Sequence, residues 1–395
     1  MPGVGLVIVG VWLVLILGVV LGPAPGFGRR LSLCVFCGDT PIPDFALNLL
    51  LFSPFGYALY RVCGSVRAAI AVGLGLSLAV ESLQLWIPGR FTSLGDLVAN
   101  TAGTGAGAIA ARFSSVLLRP RTNLRRWLPW AAGLVGTILV MLSSFALAPE
   151  LPSQQLFVSL TPNLGGHVEY PERIVSASVG PEVLRDYTKL SDQGRTFLAD
   201  GGRVRIEFVA RGVPAGIAPL LQITAGESGE ALMLGIRRTD VVLRTRTRGV
   251  AIGMNTSPIV FPRVLKGSQG ASVRLDLDRV GPGEYLLSLD SVPLQSAGVS
   301  SARIWSLWYP APGVSERLRV GVDLIWLGAL AVPIGLWATT YIVAFLAGGL
   351  FVSSVWLLPL VTASVAPPLP YIGWCLAILI FGHWAGRRQT MRSNV

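Results

Sequence analysis

Eight polar residues on or beside the apolar runs of the first hundred could build chemistry: Asp44, Asn48, Glu81, Gln84, Arg90, Ser93, Asp96 and Asn100. Asp44 with Asn48, Glu81 with Gln84, and Asp96 with Asn100 are three or four positions apart, so each pair would share one helix face. Two carboxylates in such company could serve as acid and base or hold a polar ligand. They could also neutralise an arginine, because ionisable groups within hydrocarbon are costly and usually pair. Glu81 or Asp96 with Arg90 is the expected ion pair. The structural alternative is a polar latch, with Asp96 and Asp44 capping helices and the cluster fixing helix packing. Both readings stay open. Gly103 and Gly107 form a GxxxG that lets helices approach closely.

Other chemistry is sparse. His167 and His383 are the only histidines, and no P-loop, HExxH or GxSxG occurs. An enzyme is therefore not the favoured reading, and no catalytic residue, cofactor or metal site is expected. Cys34 and Cys37 form a CxxC, while Cys63 and Cys375 stand apart. A disulfide outside the cytoplasm and a pair of free thiols both fit the CxxC.

Composition defines the elements that must carry these residues. The 395-residue chain is 52% hydrophobic and 13% charged, against about 25% charged in ordinary soluble domains. The ends are long apolar runs, whereas residues 151–318 hold most of the acids and alternate like a sheet protein, so lipid and water are both implied as solvents. The net charge of +11 is almost all arginine, Lys189 and Lys266 being the only lysines. No basic stripe is interleaved with stacking aromatics, which argues against nucleic acid.

About eight spans are expected: Val4–Leu21, Asp44–Tyr60, Val66–Trp86, Leu94–Arg112, Trp127–Ala148, two within Val320–Ala366 with a turn near Gly348–Gly349, and Tyr371–Trp384 after Pro367, Pro368 and Pro370. The first lacks a basic leader and a small-residue cleavage site, so it reads as a retained helix. With both termini cytoplasmic, the loops at Arg61–Arg67 and Arg112–Arg126 and the tail with Arg387, Arg388 and Arg392 lie inside, and only Arg29 and Arg30 fall outside. That orientation puts residues 150–318 and the polar cluster on the outer side.

Two motifs carry a resemblance. Asp44-Phe-Ala-Leu-Asn48-Leu-Leu-Leu-Phe52-Ser-Pro54-Phe-Gly56 is one; Glu81-Ser-Leu-Gln84 followed by Pro88-Gly-Arg90, Ser93, Asp96, Asn100 and Gly103 is the other. Together they resemble the signatures of the VanZ-like family over about residues 1–148. The resemblance implies a bacterial cell-envelope protein of the cytoplasmic (inner) membrane, of the kind associated with glycopeptide resistance, and no particular reaction.

Between Ser153 and Arg317 short β-branched runs alternate with turns: Arg203–Arg211, Leu220–Thr224, Ala231–Arg237, Val241–Arg246, Ser272–Leu277 and Glu284–Asp290, with Gly201-Gly202, Gly226–Gly229 and Gly281-Pro-Gly283 between them. This pattern predicts a β-sandwich or jelly roll in the periplasm. Its strand order and the hairpin at Tyr285–Pro293 are similar to laminin-G/concanavalin-A-like domains, which implies sugar binding and, in some members, calcium. Asp276 and Asp278, however, lie within a strand pattern rather than in a calcium loop. Arg244, Arg246 and Arg248 alternate with Thr245 and Thr247, so they would share a strand face open to headgroups or an acidic partner. A solvated face blunted against edge pairing fits equally. Trp305, Trp308 and Tyr309 precede a span and are expected at headgroup level.

The expected organisation is a five-helix bundle (1–150), an inserted extracytoplasmic sandwich (151–318), and three further helices with a basic tail (319–395). The favoured function is a non-catalytic accessory or scaffolding subunit of a larger bacterial membrane complex, respiratory or photosynthetic in type, with lipids and other integral subunits as partners. The alternative is a cell-envelope factor binding a lipid-linked or glycan ligand at the outer-leaflet cluster.

Overall fold

The computed structural model describes residues 2–22, 30–32, 35–36, 40–87, 90–118, 122–164, 167–171, 173–210, 215–226, 229–309, 315–362 and 364–391. Cys34, Cys37, Arg29, Pro88, Gly89, Arg119, Arg121 and Arg392 lie outside these. The chain divides into two units, 1–128 with 384–395, and 129–383.

In the first unit α1 (Pro2–Val20) is followed by a short strand β1 (Arg30–Ser32), α2 (Pro41–Cys63), α3 (Val66–Gln84), β2 (Phe91–Ser93), α4 (Leu94–Leu118) and the single turn α5 (Thr122–Arg125). The local signals are ordinary. Gly64, with φ of 68°, closes α2 by donating to the Tyr60 carbonyl, and Ser65 caps α3 by accepting from the Ala68 amide. Small residues set the helix spacing. A Cβ on Gly103 would lie 2.3 Å from the Leu49 carbonyl oxygen, and one on Gly107 would lie 1.7 Å from that of Ser53, so α4 rests backbone to backbone on α2. Ile16, Val20, Phe52, Phe55 and Val80 fill the space between α1, α2 and α3. Strands β1 and β2 pair in parallel, Leu31 opposite Thr92.

The second unit begins with α6 (Leu128–Leu147) and then builds the sandwich. Its strands are β3 (Phe157–Leu160), β4 (Ile174–Val179), β5 (Glu182–Val183) and β6 (Thr188–Lys189), then, after helix α7 (Asp192–Ala199), β7 (Val204–Val209), β8 (Ala218–Thr224), β9 (Glu230–Arg237) and β10 (Asp240–Thr245). A helical turn α8 (Arg248–Ala251) leads to β11 (Ile259–Phe261), β12 (Ser272–Gly281), β13 (Glu284–Leu289) and β14 (Val292–Gly298). One six-stranded sheet has the order β11-β10-β9-β8-β3-β6 and the other β14-β13-β12-β7-β4-β5. Every pairing within both is antiparallel. Alternation places Val204, Ile206 and Phe208 of β7 in the core. Asp290 and Ser291, both at positive φ, form the two-residue turn between β13 and β14, whose twist matches the strands it joins.

After a 3-10 segment, Ser301–Leu307, come α9 (Glu316–Trp337), α10 (Tyr341–Leu357) and α11 (Pro370–Met391). The break between α9 and α10 is at Ala338–Thr340, where Thr340 caps α10 by accepting from the Val343 amide, and not near Gly348–Gly349. Those two glycines sit inside α10. Gly348 is there for space, since a Cβ on it would lie 2.4 Å from the Leu379 side chain of α11. Helix α11 also runs past the expected Trp384 to Met391.

Among the described residues five helical stretches are long and apolar enough to cross a membrane: Pro41–Cys63, Val66–Gln84, Asn123–Leu147, Glu316–Trp337 and Tyr341–Leu360. Gly5–Val20 is apolar but shorter. Helices α4 and α11 have the length but are diluted, α4 by Asp96, Asn100 and its glycines and α11 by His383 and its terminal arginines. Five spans rather than eight are thus marked by length and apolarity together. Helix α6, expected to complete the N-terminal bundle, falls in the second unit: Gly133 lies against the Ala347 backbone and Gly136 against Phe351.

Candidate functional site

The polar residues of the first unit gather where the C-terminal ends of α1 and α3 meet the N-terminal parts of α2 and α4. Ser93 ends β2 and caps α4, its hydroxyl accepting from the Asp96 amide at 3.1 Å. The Ser93 amide donates to Glu81 Oε2 at 3.0 Å, and the Thr92 hydroxyl donates to the Glu81 carbonyl at 3.0 Å. Asp96 accepts through Oδ1 from Asn48 Nδ2 of α2 at 2.5 Å. One hydrogen-bonded chain therefore runs from α3 through β2 and α4 to α2. Deeper in, Asn100 Nδ2 donates to the Ser77 hydroxyl at 3.0 Å.

The expected ion pair is not formed. Arg90 Nε donates to the Gly22 carbonyl at 3.0 Å and Nη2 to that of Val19 at 2.9 Å, and Gln84 Nε2 donates to the Val20 carbonyl at 3.0 Å. Arg90 and Gln84 thus satisfy the orphan carbonyls that end α1, where a cation also meets the negative end of the helix dipole. Asp44 is exposed and accepts from the Thr40 hydroxyl at 3.3 Å.

The cluster is half in water and half out of it. Glu81, Gln84 and Asn100 are buried, while Asp96 and Asn48 are partly open. Two buried acceptors, Gln84 Oε1 and Asn100 Oδ1, have no hydrogen-bond partner, an arrangement that costs about 1–3 kcal/mol for each group. These neighbours, Thr92 and Ser77 especially, had no distinctive sequence signal; only the run from Arg90 to Asp96 marks their vicinity.

Residues 12–117 match the VanZ/LLP1 family model. The matched stretch reaches from Trp12 on α1 to the end of α4 and contains the whole cluster, so the VanZ-like segment and the hydrogen-bonded chain coincide. The full chain matches no curated protein and no solved structure. The sandwich therefore stands on its strand order alone, and no family match supports a concanavalin-A-like fold for it.

The other expected contact residues of the second unit make the following contacts. Arg244 pairs with Glu230 at 3.0 Å. Strand β10 stops at Thr245, and Arg248 opens α8 with its guanidinium 4.5 Å from the centre of the Phe145 ring. Thr245 and Thr247 are buried while Arg244, Arg246 and Arg248 are more open, but Arg244 is already tied to Glu230 and Arg248 lies on the Phe145 ring. Trp305 donates through Nε1 to Asp323 at 2.6 Å, the Trp308 carbonyl accepts from Asn255, and Tyr309 is exposed. Asp276 and Asp278 lie on β12, tied to Arg205 at 2.6 Å and Arg203 at 2.8 Å. Among the described residues no group of three His, Cys, Asp or Glu could hold a metal ion.

A second buried knot escaped the sequence reading. Asp323 of α9 accepts from Arg303 at 3.0 Å, Trp305 at 2.6 Å and the Tyr371 hydroxyl at 3.3 Å. Arg303 also reaches Glu316 at 2.8 Å. Burial works against the Arg303 charge, but Asp323 and Glu316 outweigh it and hold the guanidinium above its ordinary value. A lone acid in an apolar run was the available signal.

Proposed function

We propose that the protein is a VanZ-type cell-envelope factor that binds a lipid-linked or glycan ligand at the polar end of its first four helices. The observation that carries this reading is the pair of buried acceptors without partners, Gln84 Oε1 and Asn100 Oδ1, beside Glu81 and Asp96. A cluster so rich in acceptors calls for a ligand rich in donors, and sugar hydroxyls or amines are such donors. Ordinary packing would leave few buried acceptors unpaired.

In this reading the chain sits in the cytoplasmic membrane with its termini inside, and its sandwich is periplasmic. The cluster then lies in the outer leaflet, where envelope precursors are presented. No proton transfer or bond breaking is assigned to Glu81 or Asp96. The reading as an accessory subunit of a respiratory or photosynthetic complex gains no support from the comparisons.

The test is purification from native membranes in mild detergent, comparing wild type with Glu81→Gln. The variant keeps the shape of the side chain and its bond to the Ser93 amide while removing the charge. Normal abundance and melting temperature, with loss of a co-purifying lipid or glycan by mass spectrometry, is the expected result. Loss of abundance would reduce the cluster to a packing latch, and stoichiometric protein partners in place of a glycan would favour the subunit reading.

A further inference from the structure

Between the two sheets of the sandwich, at the end where α6 joins it, lies a cavity of about 130 Å³. Leu232 of β9 stands on one side, and Val204, Leu277 and Tyr285 of β7, β12 and β13 stand on the other, all of them buried. The segment Pro149–Leu151, which leaves α6, runs along it, and Ala199 at the end of α7 lines it from an exposed position. Tyr285 and Thr245, two polar side chains of the wall, bond to each other, so the surface between them is largely hydrocarbon. An engineered apolar cavity of roughly 150 Å³ stays dry and takes up benzene.

Two clefts of about 400 Å³ each continue this cavity. The first shares Pro149 and Arg279 with it and extends along the β12–β13 turn to Gly283. The second shares Pro149 and Pro282 with the first, and runs between Phe145 of α6 and Leu360–Thr362 beyond α10. Phe145 and Leu360 lie at the ends of two stretches apolar enough to cross a membrane, Asn123–Leu147 and Tyr341–Leu360. Leu360 and Val361 are 77% and 82% exposed, and neighbouring apolar side chains that open mark a surface facing something other than water. The hollows thus lead from the level of the helix ends into the interior of the sandwich.

Charge at the mouth narrows the occupant. Arg248 is exposed, with its guanidinium 4.5 Å from the centre of the Phe145 ring. Arg279 donates through Nη2 to the Ala199 carbonyl at 2.7 Å, which engages only part of its donor fork. Arg246 is the third cation of these walls, and Glu150 and Asp200 are their acids. Cations outnumber acids, and arginines at the depth of headgroups favour anionic lipid.

We infer that one acyl chain of an anionic glycerophospholipid turns up from the bilayer into this cavity, with its headgroup against Arg248 and Arg279. A slot of this size takes the end of an unbranched chain. A chain that passes from bilayer to cavity exchanges one apolar surrounding for another, so the contact with the headgroup sets the preference among lipids. The site belongs to the second unit and does not rest on the ligand reading of the first.

The experiment uses the full chain in lipid nanodiscs that contain phosphatidylglycerol carrying a photoactivatable diazirine at the end of one acyl chain. After illumination, cross-linked peptides are mapped by mass spectrometry. Peptides covering 198–204 and 231–232 should be labelled. Ala199→Phe places a ring at the exposed edge of the cavity and should lower that labelling threefold or more at an unchanged melting temperature. Arg248→Gln/Arg279→Gln should lower it as well, and a phosphatidylcholine probe with the same tail should label these peptides threefold or more weakly. Labelling confined to the membrane-crossing helices overturns the inference, as does equal labelling of wild type and Ala199→Phe. Equal labelling by the two lipid probes overturns the choice of an anionic headgroup.

Discussion

Replacing Gly107 by alanine tests the packing of α4 on α2 most directly. The new methyl carbon would lie 1.7 Å from the Ser53 carbonyl oxygen, 2.7 Å from the Ser53 carbonyl carbon and 2.8 Å from the Tyr57 amide nitrogen, whereas real Cβ contacts essentially never fall under 3.0 Å. All three atoms are backbone, so no side chain can swing away, and the helices must separate by more than the width of the shortfall. Overpacking of this kind costs about 1–3 kcal/mol and occasionally more. Separation would also stretch the 2.5 Å bond between Asn48 and Asp96, which joins the same two helices. The control is Gly75→Ala on α3, where nothing lies within 4 Å of the added carbon and better helix propensity adds up to about 1 kcal/mol. Thermal unfolding of both variants in one detergent should place Gly107→Ala lower by roughly 5–10 °C, on the usual few degrees per kcal/mol. If the two variants melt together, the close approach of α2 and α4 is wrong, and the geometry of the polar cluster falls with it.

Two further predictions concern the second unit. Asp323→Ala removes the common acceptor of Arg303, Trp305 and Tyr371 and should cost about 3–5 kcal/mol, with a red shift in tryptophan emission. Glu316→Ala, at a carboxylate 58% exposed, should cost less than about 1 kcal/mol, and equal losses would refute the buried knot. On the sandwich, Arg274 and then Ser176 hold the Glu207 carboxyl below its ordinary value by hydrogen bonding to the charged form. A depressed folded value means that its contribution is present above the unfolded value of about 4.3 and is lost as pH falls through the folded one. Glu207→Gln should therefore flatten the fall in melting temperature below about pH 4, and superimposable acid profiles would remove Glu207 from the account.

The parts of the architecture that were legible in the sequence are those whose signal is periodic. Alternation in Val204–Val209 and the turn at Gly281-Pro-Gly283 mark strands β7, β12 and β13, because a pleated strand exposes every second residue. The four-residue spacing of Asp96 and Asn100 likewise puts both on the face of α4 that meets α2 and α3. What stayed hidden lacks a pattern. Arg90 binds main-chain carbonyls, which have no residue type to announce them, so an acidic partner looked better than the real one. Gly348-Gly349 reads as a turn in one dimension, but both sit inside α10 and Gly348 proves to be room for Leu379. Arg248 kept the alternation of Arg244 and Arg246 although it opens α8, since side-chain type does not record where a strand gives way to a helix.

The core of the sandwich takes in Ala146 and Leu147 from the last turn of α6, with Trp326 of α9 packed against it. Its oily filling is consequently completed by residues from the helices that flank it in sequence. A fragment trimmed to 151–318 would present an unplugged end to water and should clump or misfold, while one reaching back through α6 and on through α9 carries its own stopper. Whatever the sandwich recognises, it is built to do so as the head of those helices.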